Sequence, residues 1–250
     1  MDRDDYAVVR RFEDLSQQAD RKGVVLFSNF LNMYEINLLH QNASGLATRF
    51  SLYGGYQEAE RQMVAFQPDA LYYDWSYPIS CIRFMPVQPK FADVLSHRDV
   101  LGACMHLRIE REMLGDIVVQ DTQILIFCVD SMANYLKEHL TTIKHTQMKA
   151  AIVTPDEVTV SIQYREVFGY VASNRLDAFV AEACKMSRAQ SATYILSENV
   201  FINGKLITNH NHKISPEDII SLRGYGKLKF GAFLSTTKKG RIRISYQWYC

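Results

Sequence analysis

Basic side chains collect in the last third of the chain, together with aromatic ones. Residues 171–250 contain 12 Lys and Arg against 5 Asp and Glu, whereas residues 1–170 contain 16 against 22. No acidic residue follows Asp218. Basic groups neutralise phosphates and release counterions, and aromatic faces stack on unpaired bases. The asymmetry therefore indicates a C-terminal part that binds a nucleic acid or an anionic membrane surface.

Short elements must position these basic residues. Apolar spacing predicts a helix whose buried face comprises Leu176, Phe179, Val180 and Ala183. Ser187 and Gln190 have the spacing of a capping box at the start of a second helix. Asn203 and Gly204 stand between two apolar runs and predict a hairpin, because a type I′ turn needs φ > 0 at both positions. Alternation of apolar and polar residues from Arg241 onward predicts a half-buried strand, in which Trp248 and Tyr249 are better explained as strand core than as RNA contacts.

Two helices, a hairpin and a strand in this order resemble the alpha-L RNA-binding motif, named for the fourth small-subunit ribosomal protein. The resemblance rests on Arg175, Leu176, Asp177, Ser187, Arg188, Asn203, Gly204, Asp218 and Arg223. It implies a binding module and not a catalyst. Arg175 and Arg188 are the best candidates for phosphate contacts, and Asp177 is expected to orient a neighbouring basic group.

The RNA-binding residues that we predict in this region are Arg175, Lys185, Arg188, Asn203, Lys205, Arg223, Lys227 and Lys229. The alternative for each basic residue is an ordinary solvated surface charge. One departure from the motif concerns the corner between helix and strand, which usually carries a glycine. Here Glu198 and Asn199 occupy it, and we expect Asn199 to adopt the left-handed conformation. Glu198 adds an acidic group near the expected RNA face.

The middle of the chain has the order β-α-β-β-α-β of a ferredoxin-like fold, which RNA-recognition folds share. Strands are predicted over residues 80–86, 116–120, 124–129, 149–153 and 158–164, with helices over 97–107 and 131–143 and a turn at Asp121-Thr122. The aromatic residues that stack on RNA in true RNA-recognition motifs are missing from the central strands. Fold alone does not imply function.

The first 75 residues are predicted to form an α/β unit. Helices are expected over residues 5–19, 30–39 and 57–66, and a strand over 47–53. The fold class is therefore α+β, with domains at 1–75 (α/β), 76–170 (ferredoxin-like) and 171–250 (alpha-L with a basic strand region).

Three further segments extend the resemblance over nearly the whole chain: residues 53–61 (YGGYQEAER), 97–103 (HRDVLGA) and 111–117 (REMLGDI). With the C-terminal motif, they resemble the YlmH family of bacterial cytoplasmic proteins. Arg108 stands where relatives more often have glycine. The resemblance implies binding to ribosomal or transfer RNA, association with the large ribosomal subunit, and a role in rescuing obstructed nascent chains.

A secondary contact with RNA or a protein partner is predicted at Gly54, Gly55, Tyr56, Arg61, His97 and Arg98. For the glycine pair, the alternative is a tight turn. The sequence His97-Arg98-Asp99 also occurs in kinase catalytic loops, but Cys104 stands where that loop needs Asn. His97 and Asp99 are better explained as caps of the helix that begins there.

We predict no metal and no cofactor. The five cysteines are widely spaced and form no CxxC pair: Cys81, Cys104, Cys128, Cys184 and Cys250. His210 and His212 alternate without a third ligand nearby. No apolar run approaches a membrane span, and the acidic N-terminus is not a signal peptide, so we expect a cytoplasmic protein that binds no membrane.

Two other function classes remain open. Alpha-L domains are also fused to RNA-modifying enzymes such as pseudouridine synthases and methyltransferases. The sequence has no methyl-donor loop and no convincing pseudouridine-synthase motif, so we expect no enzyme. The acidic first part of the chain, with 16 Lys and Arg against 22 Asp and Glu, is suited to a protein partner.

Overall fold

A computed structural model of the chain describes residues 3–120, 123–154, 157–160 and 163–249. The turn predicted at Asp121-Thr122 lies outside these residues. The chain divides into an N-terminal unit, Met1–Val160, and a C-terminal unit, Ser161–Cys250. Both combine helices with antiparallel sheets, so the fold is α+β. Within the described ranges, no helix is long and apolar enough to cross a membrane.

The N-terminal unit begins with two helices and a three-stranded sheet. The elements are α1 (Arg3–Lys22), β1 (Leu26–Leu31), α2 (Met33–Gln41), β2 (Arg49–Tyr53) and β3 (Gln62–Gln67). The strand order is β1-β3-β2, and both pairings are antiparallel. Phe12 and Ala19 of α1 and Leu39 of α2 form one apolar core with Val64 and Phe66 of β3.

Two predictions for this region were wrong. The helix predicted over 57–66 is absent, and β3 occupies its second half. The residues from Met63 to Phe66 are all buried because β3 is the central strand with both faces covered, so its apolar run has no period of two. The helix predicted from Phe30 begins instead at Met33, where Asn32 closes a capping box with Glu35.

The N-terminal unit continues with a five-stranded sheet and two helices. The elements are β4 (Ile79–Pro86), α3 (His97–His106), β5 (Leu114–Gln120), β6 (Gln123–Val129), α4 (Asp130–His139), β7 (Thr142–Ile143) and β8 (Thr146–Val153). The strand order is β5-β6-β4-β8-β7, and all pairings are antiparallel. On one face, Val100 of α3 and Leu136 of α4 pack on Ile126. On the other, Phe30 and Met63 pack on Phe127.

Helix α4 and the last predicted strand of this region differ from the predictions. Helix α4 begins at Asp130, one residue before its predicted start, and its N-cap Val129 supplies no side-chain hydrogen bond. The helix ends at His139, and Ile143 lies in β7. The strand predicted over 158–164 is not formed in its described residues, and the next strand begins at Tyr164.

The C-terminal unit is a six-stranded sheet with two helices on one face. The elements are β9 (Tyr164–Val171), α5 (Leu176–Ala183), α6 (Arg188–Leu196), β10 (Val200–Ile202), β11 (Lys205–Leu206), β12 (Ile219–Leu222), β13 (Gly226–Thr236) and β14 (Ile242–Tyr249). The order is β11-β10-β12-β13-β14-β9. Leu176 and Phe179 of α5 and Ile195 of α6 share a core with Phe230 and Ile244.

Strand β9 belongs to this C-terminal sheet. It pairs with β14 over its whole length, from Tyr164 opposite Tyr249 to Val171 opposite Ile242. Residues 164–170, which the sequence placed in the middle domain, therefore lie in the C-terminal unit. Local patterns could not show this, because the partner strand is more than seventy residues away in the sequence.

Candidate nucleic-acid interface

Arg175 and Arg188 converge on one buried carboxylate. Arg175 donates to Asp177 through Nε at 3.1 Å and Nη2 at 2.8 Å, and Arg188 Nη2 donates to Asp177 Oδ2 at 2.7 Å. The Asp177 side chain is only 5% exposed, whereas those of Arg175 and Arg188 are 37% and 50% exposed. The carboxylate therefore fixes two guanidinium groups that still face solvent, as the sequence predicted for Asp177.

The starts of two helices, and a hydrogen bond that joins these helices, position this arginine pair. Arg175 precedes α5, and Arg188 is the first residue of α6 after the predicted capping box of Ser187 and Gln190. Ser191 Oγ donates to the carbonyl oxygen of Asp177 at 2.8 Å and joins the two helices. The two guanidinium groups thus come from the starts of two different helices, and both are held at Asp177.

Lys213 is joined to Arg175 through its backbone, and it was not among the RNA-binding residues predicted from the sequence. Its backbone forms an isolated antiparallel bridge with that of Arg175. Flanking bonds run from Leu176 N to His212 O at 2.8 Å and from Ile214 N to Asn174 O at 3.1 Å. Lys213 is exposed. This pairing joins residues almost forty positions apart, so no local pattern could have revealed it.

Electrostatics keep the Asp177 carboxylate charged. Burial raises its pKa, but the hydrogen bonds from Arg175 and Arg188 and their positive charges outweigh burial, so the pKa lies below its ordinary value. The cluster therefore keeps one negative and two positive charges at neutral pH. The remaining positive charge faces solvent, which suits a phosphate.

The hairpin residues serve the fold more than a ligand. Asn203 and Gly204 form the predicted turn, with φ values of 49° and 79°. The Asn203 side chain donates to Asp218 Oδ1 at 2.8 Å and accepts from Ile219 N at 2.9 Å. Asn203 therefore ties the hairpin to β12, and nothing in this geometry directs its amide towards RNA. Lys205 follows the turn and is exposed.

Arg223 lies over an aromatic ring. Its guanidinium is 5.0 Å from the centroid of Phe201, and its backbone N donates to Asn199 O at 3.0 Å. The Tyr194 hydroxyl donates to the carbonyl oxygen of Arg223. Burial raises the pKa of Tyr194 to about 12, so this hydroxyl keeps its proton. Arg223 is thus an exposed cation with a fixed backbone, separate from the Asp177 cluster in its contacts.

The three remaining lysines of the predicted site do not join one cluster. Lys185 is paired with Glu182 at 2.5 Å, and Lys229 with Glu217 at 2.5 Å. Lys227 lies 5.7 Å from the ring centroid of Tyr249. Ion pairs of this exposed kind contribute little to stability. The structure therefore unites Arg175 and Arg188 and distributes the other predicted residues over the unit.

The corner after α6 was predicted incorrectly. Glu198, and not Asn199, has the left-handed conformation, with φ of 60°. Asn199 instead accepts from Arg223 N and donates to Tyr194 O at 3.3 Å. Arg108, the other position at which the resemblance implied a glycine, also has positive φ, at 58°. Both substitutions place a non-glycine residue in a conformation that glycine adopts without strain.

The secondary set in the N-terminal unit has structural partners. A Cβ atom on Gly54 would lie 2.4 Å from the Arg61 carbonyl oxygen, and one on Gly55 would lie 2.4 Å from the Phe127 ring. Both glycines therefore serve close packing. Arg61 donates to the carbonyl oxygens of Phe30 and Leu114, each at 2.9 Å. Its guanidinium is directed into the protein and not towards a ligand.

Tyr56 belongs to the same interior network. Its hydroxyl donates to Asp116 Oδ2 at 2.7 Å, and the backbone N atoms of Glu60 and Arg61 donate to the same carboxylate. Burial raises the pKa of Tyr56 and that of Asp116, and it lowers the pKa of Arg61. The geometry gives these groups a role in folding, and it offers no support for the RNA contact predicted for Tyr56 and Arg61.

His97 and Arg98 are exposed at the start of α3. The N-cap is Ser96, which forms a capping box with Asp99, so the capping role predicted for Asp99 is confirmed and His97 is the first helical residue. Among the described residues, no group of three or more His, Cys, Asp and Glu side chains could hold a metal ion.

Comparison with known proteins gives three results. Residues 76–157 match the family model described as "Putative RNA-binding domain in YlmH". The chain is 27% identical over 205 residues to "Ribosome-associated protein quality control protein P2" of Bacillus subtilis (strain 168), covering 78% of this chain and 76% of the relative. The solved structure "Cell division protein ylmH from Streptococcus pneumoniae" shares the fold, with a TM-score of 0.51 and 19% identity over 63% of this chain and 95% of that one.

The family match falls on the five-stranded sheet and its two helices. It does not include the C-terminal unit, which contains the RNA-binding residues predicted from the sequence. The relative from Bacillus subtilis extends the similarity to most of the chain. Residues 76–157 are therefore similar to the putative RNA-binding domain of YlmH.

Proposed function

We propose that the protein binds ribosomal or transfer RNA on the large ribosomal subunit and takes part in the rescue of stalled nascent chains. Two findings support this role: the match of residues 76–157 to the putative RNA-binding domain of YlmH, and a relative whose name places it in ribosome-associated quality control. In this proposal, the protein is a cytoplasmic binding factor and not an enzyme. Neither the family description nor the relative's name mentions a reaction.

The observation that supports the site best is the arginine pair fixed by Asp177. A guanidinium presents planar, paired donors that match a phosphate, and a carboxylate that fixes its orientation lowers the entropy lost on binding. Arg175 and Arg188 meet both conditions and keep part of their surface in solvent. Lys213 adds a charge beside Arg175. We assign the principal phosphate contacts to these three residues.

Charge distribution favours the C-terminal unit as the source of electrostatic affinity. The matched segment 76–157 contains 8 Lys and Arg against 10 Asp and Glu, whereas residues 171–250 contain 12 against 5. Phosphate contacts supply most of non-specific RNA affinity. We infer that residues 76–157 set orientation, that the C-terminal unit supplies attraction, and that the acidic N-terminal part faces solvent or a protein partner.

Fold assignments fit this division of roles. We interpret residues 76–160 as ferredoxin-like, because β4, β5, β6 and β8 have the order β5-β6-β4-β8 and antiparallel directions that a β-α-β-β-α-β unit requires. We interpret the C-terminal unit as an alpha-L domain extended by β9, β13 and β14. Its helix pair α5 and α6, the capping box of α6 and the Asn203-Gly204 hairpin support that reading.

Co-sedimentation with ribosomes and separated subunits tests the proposal. Wild type should bind the large subunit, and Arg175→Ala/Arg188→Ala should bind about tenfold or more weakly because two charge-assisted contacts are lost. Arg175→Lys/Arg188→Lys should recover only part of the affinity, since lysine keeps the charge and loses the planar donor pair.

A matched control is Arg10→Ala/Arg49→Ala, which removes two exposed arginines from the N-terminal unit. It removes the same total charge and should leave binding unchanged. Equal losses in both double variants would mean that net charge alone drives association. Absence of binding to every ribosomal particle would reject the ribosomal role.

A further inference from the structure

The outer face of β9 and β14, opposite the helices, presents aromatic side chains. Tyr164, Phe168 and Tyr170 alternate with core residues along β9 and are 38%, 50% and 43% exposed. Tyr164 stands opposite Tyr249, and their rings meet edge to face with centroids 5.0 Å apart. Burial of these rings would be favourable, yet the unit leaves them in contact with water. We call these four residues, with the cations beside them, the aromatic face.

Cations lie over the rings of this aromatic face. The guanidinium of Arg243 is 5.1 Å from the Phe168 centroid, and that of Arg241 is 6.0 Å from the Tyr170 centroid. Arg241 is also fixed by a hydrogen bond from Nη2 to the Tyr170 carbonyl oxygen at 3.0 Å. The arginines therefore add positive charge beside the rings of Phe168 and Tyr170.

The strands that form the aromatic face and its neighbour β13 contain one acidic residue, which lies on that face between Tyr164 and Phe168. Strands β13 and β14 contain no Asp or Glu, and β9 contains one, Glu166, which stands opposite Gln247. β9 is an edge strand of the sheet, so a ligand can approach along it. Charged side chains commonly protect the edge strands of sheets from pairing with other chains. Aromatic rings together with arginines are more typical of surfaces that bind single-stranded nucleic acid.

We propose that the aromatic face binds unpaired RNA bases. The proposal rests on the RNA-binding function above and adds a second surface, distinct in its residues from the Asp177 cluster. Bases stack on aromatic rings and also on guanidinium planes, so each arginine and ring pair offers stacking area and a charge for phosphate. Side chains two positions apart on a strand are about 6.8 Å apart, which lets neighbouring rings contact successive bases of an extended strand.

The test separates stacking from charge attraction. Fluorescence anisotropy should compare a short oligouridylate with an abasic RNA oligomer of the same length, which keeps the phosphates and lacks the bases. Wild type should prefer the base-bearing oligomer by about tenfold or more. Phe168→Leu/Tyr170→Leu keeps apolar bulk and removes the rings, so it should lose that preference and keep the affinity for the abasic oligomer.

Two controls accompany this experiment. Tyr6→Leu/Tyr72→Leu removes two exposed rings from the N-terminal unit, outside the matched segment 76–157, and should leave both affinities unchanged. Thermal melting should match between wild type and the Phe168→Leu/Tyr170→Leu variant, because both rings lie outside the core.

Equal affinity of wild type for both oligomers, or an unchanged preference in the Phe168→Leu/Tyr170→Leu variant, would overturn the inference. If large-subunit binding through Arg175 and Arg188 persisted in that case, the proposed function would stand. If wild type bound neither oligomers nor ribosomes, both would fail. A wild-type dimer that dissociates in the leucine variant, with no base preference, would assign the aromatic face to a second copy of the chain and overturn the RNA assignment.

Discussion

Asp177 Oδ2 accepts a hydrogen bond from Arg188 Nη2 at 2.7 Å, although the two residues begin different helices and are eleven positions apart. The same oxygen accepts from Arg175 Nη2 at 2.8 Å. Two like charges are thereby held side by side, which only a carboxylate between them makes favourable. Asp177 is therefore a positioning residue for the proposed RNA contact, acting through both arginines.

Replacement of Asp177 by Asn should destabilise the C-terminal unit by about 1–3 kcal/mol, because hydrogen bonds to charged groups are lost and two arginines then repel. The effect should depend on pH. Since the pKa of Asp177 is lowered in the folded state, its contribution is complete above its ordinary value of 3.8 and is lost as pH falls through the lower folded-state pKa. The unfolding free energies of wild type and Asp177→Asn should differ by a constant amount from pH 5 to 7. This difference should shrink as the pH falls below about 4. A difference that persisted in acid would contradict this assignment.

Salt dependence should report the phosphate contacts of the arginine pair. A log–log plot of affinity against salt has a slope of about −0.7 to −0.9 for each phosphate neutralised. Loss of Arg175 and Arg188 together should make the slope shallower by about 1.4 to 1.8. Titration of labelled RNA at several salt concentrations measures both slopes. Identical slopes would show that these arginines contact no phosphate.

Leu176→Ala should destabilise the C-terminal unit by about 2–5 kcal/mol, because the side chain is fully buried between α5 and the sheet. Leu196→Ala is the matched control, since Leu196 is exposed at the end of α6 and its truncation should change stability by less than about 0.5 kcal/mol. Thermal or denaturant unfolding distinguishes the two. A wild-type melting curve for Leu176→Ala would contradict the helix orientation.

Tyr56→Phe should destabilise the N-terminal unit by about 1–3 kcal/mol without changing RNA affinity, because it removes the hydroxyl that donates to the buried Asp116 carboxylate. Parallel unfolding and RNA-binding measurements decide between the interior role seen here and the RNA contact predicted from sequence. Weaker RNA binding with an unchanged free energy of unfolding would instead support the RNA contact predicted for Tyr56.

Local patterns in the sequence determined much of the C-terminal unit. The capping box at Ser187 and the hairpin at Asn203-Gly204 were predicted correctly, because caps and type I′ turns depend on side chains only two or three residues away. The apolar face of α5 followed from helical spacing alone. The orienting role of Asp177 was implied by the resemblance to the alpha-L motif, and its hydrogen bonds with Arg175 and Arg188 agree with it.

Tertiary structure decided what depends on distant partners. β3 became a strand because both its faces are covered, and β9 joined the C-terminal sheet because β14 pairs with it across more than seventy residues. Lys213 lies beside Arg175 because their backbones pair. Tyr56 lies in the interior, where its hydroxyl donates to Asp116. In each case, the energy comes from contacts between residues far apart in the chain, which periodicity and local propensity do not encode.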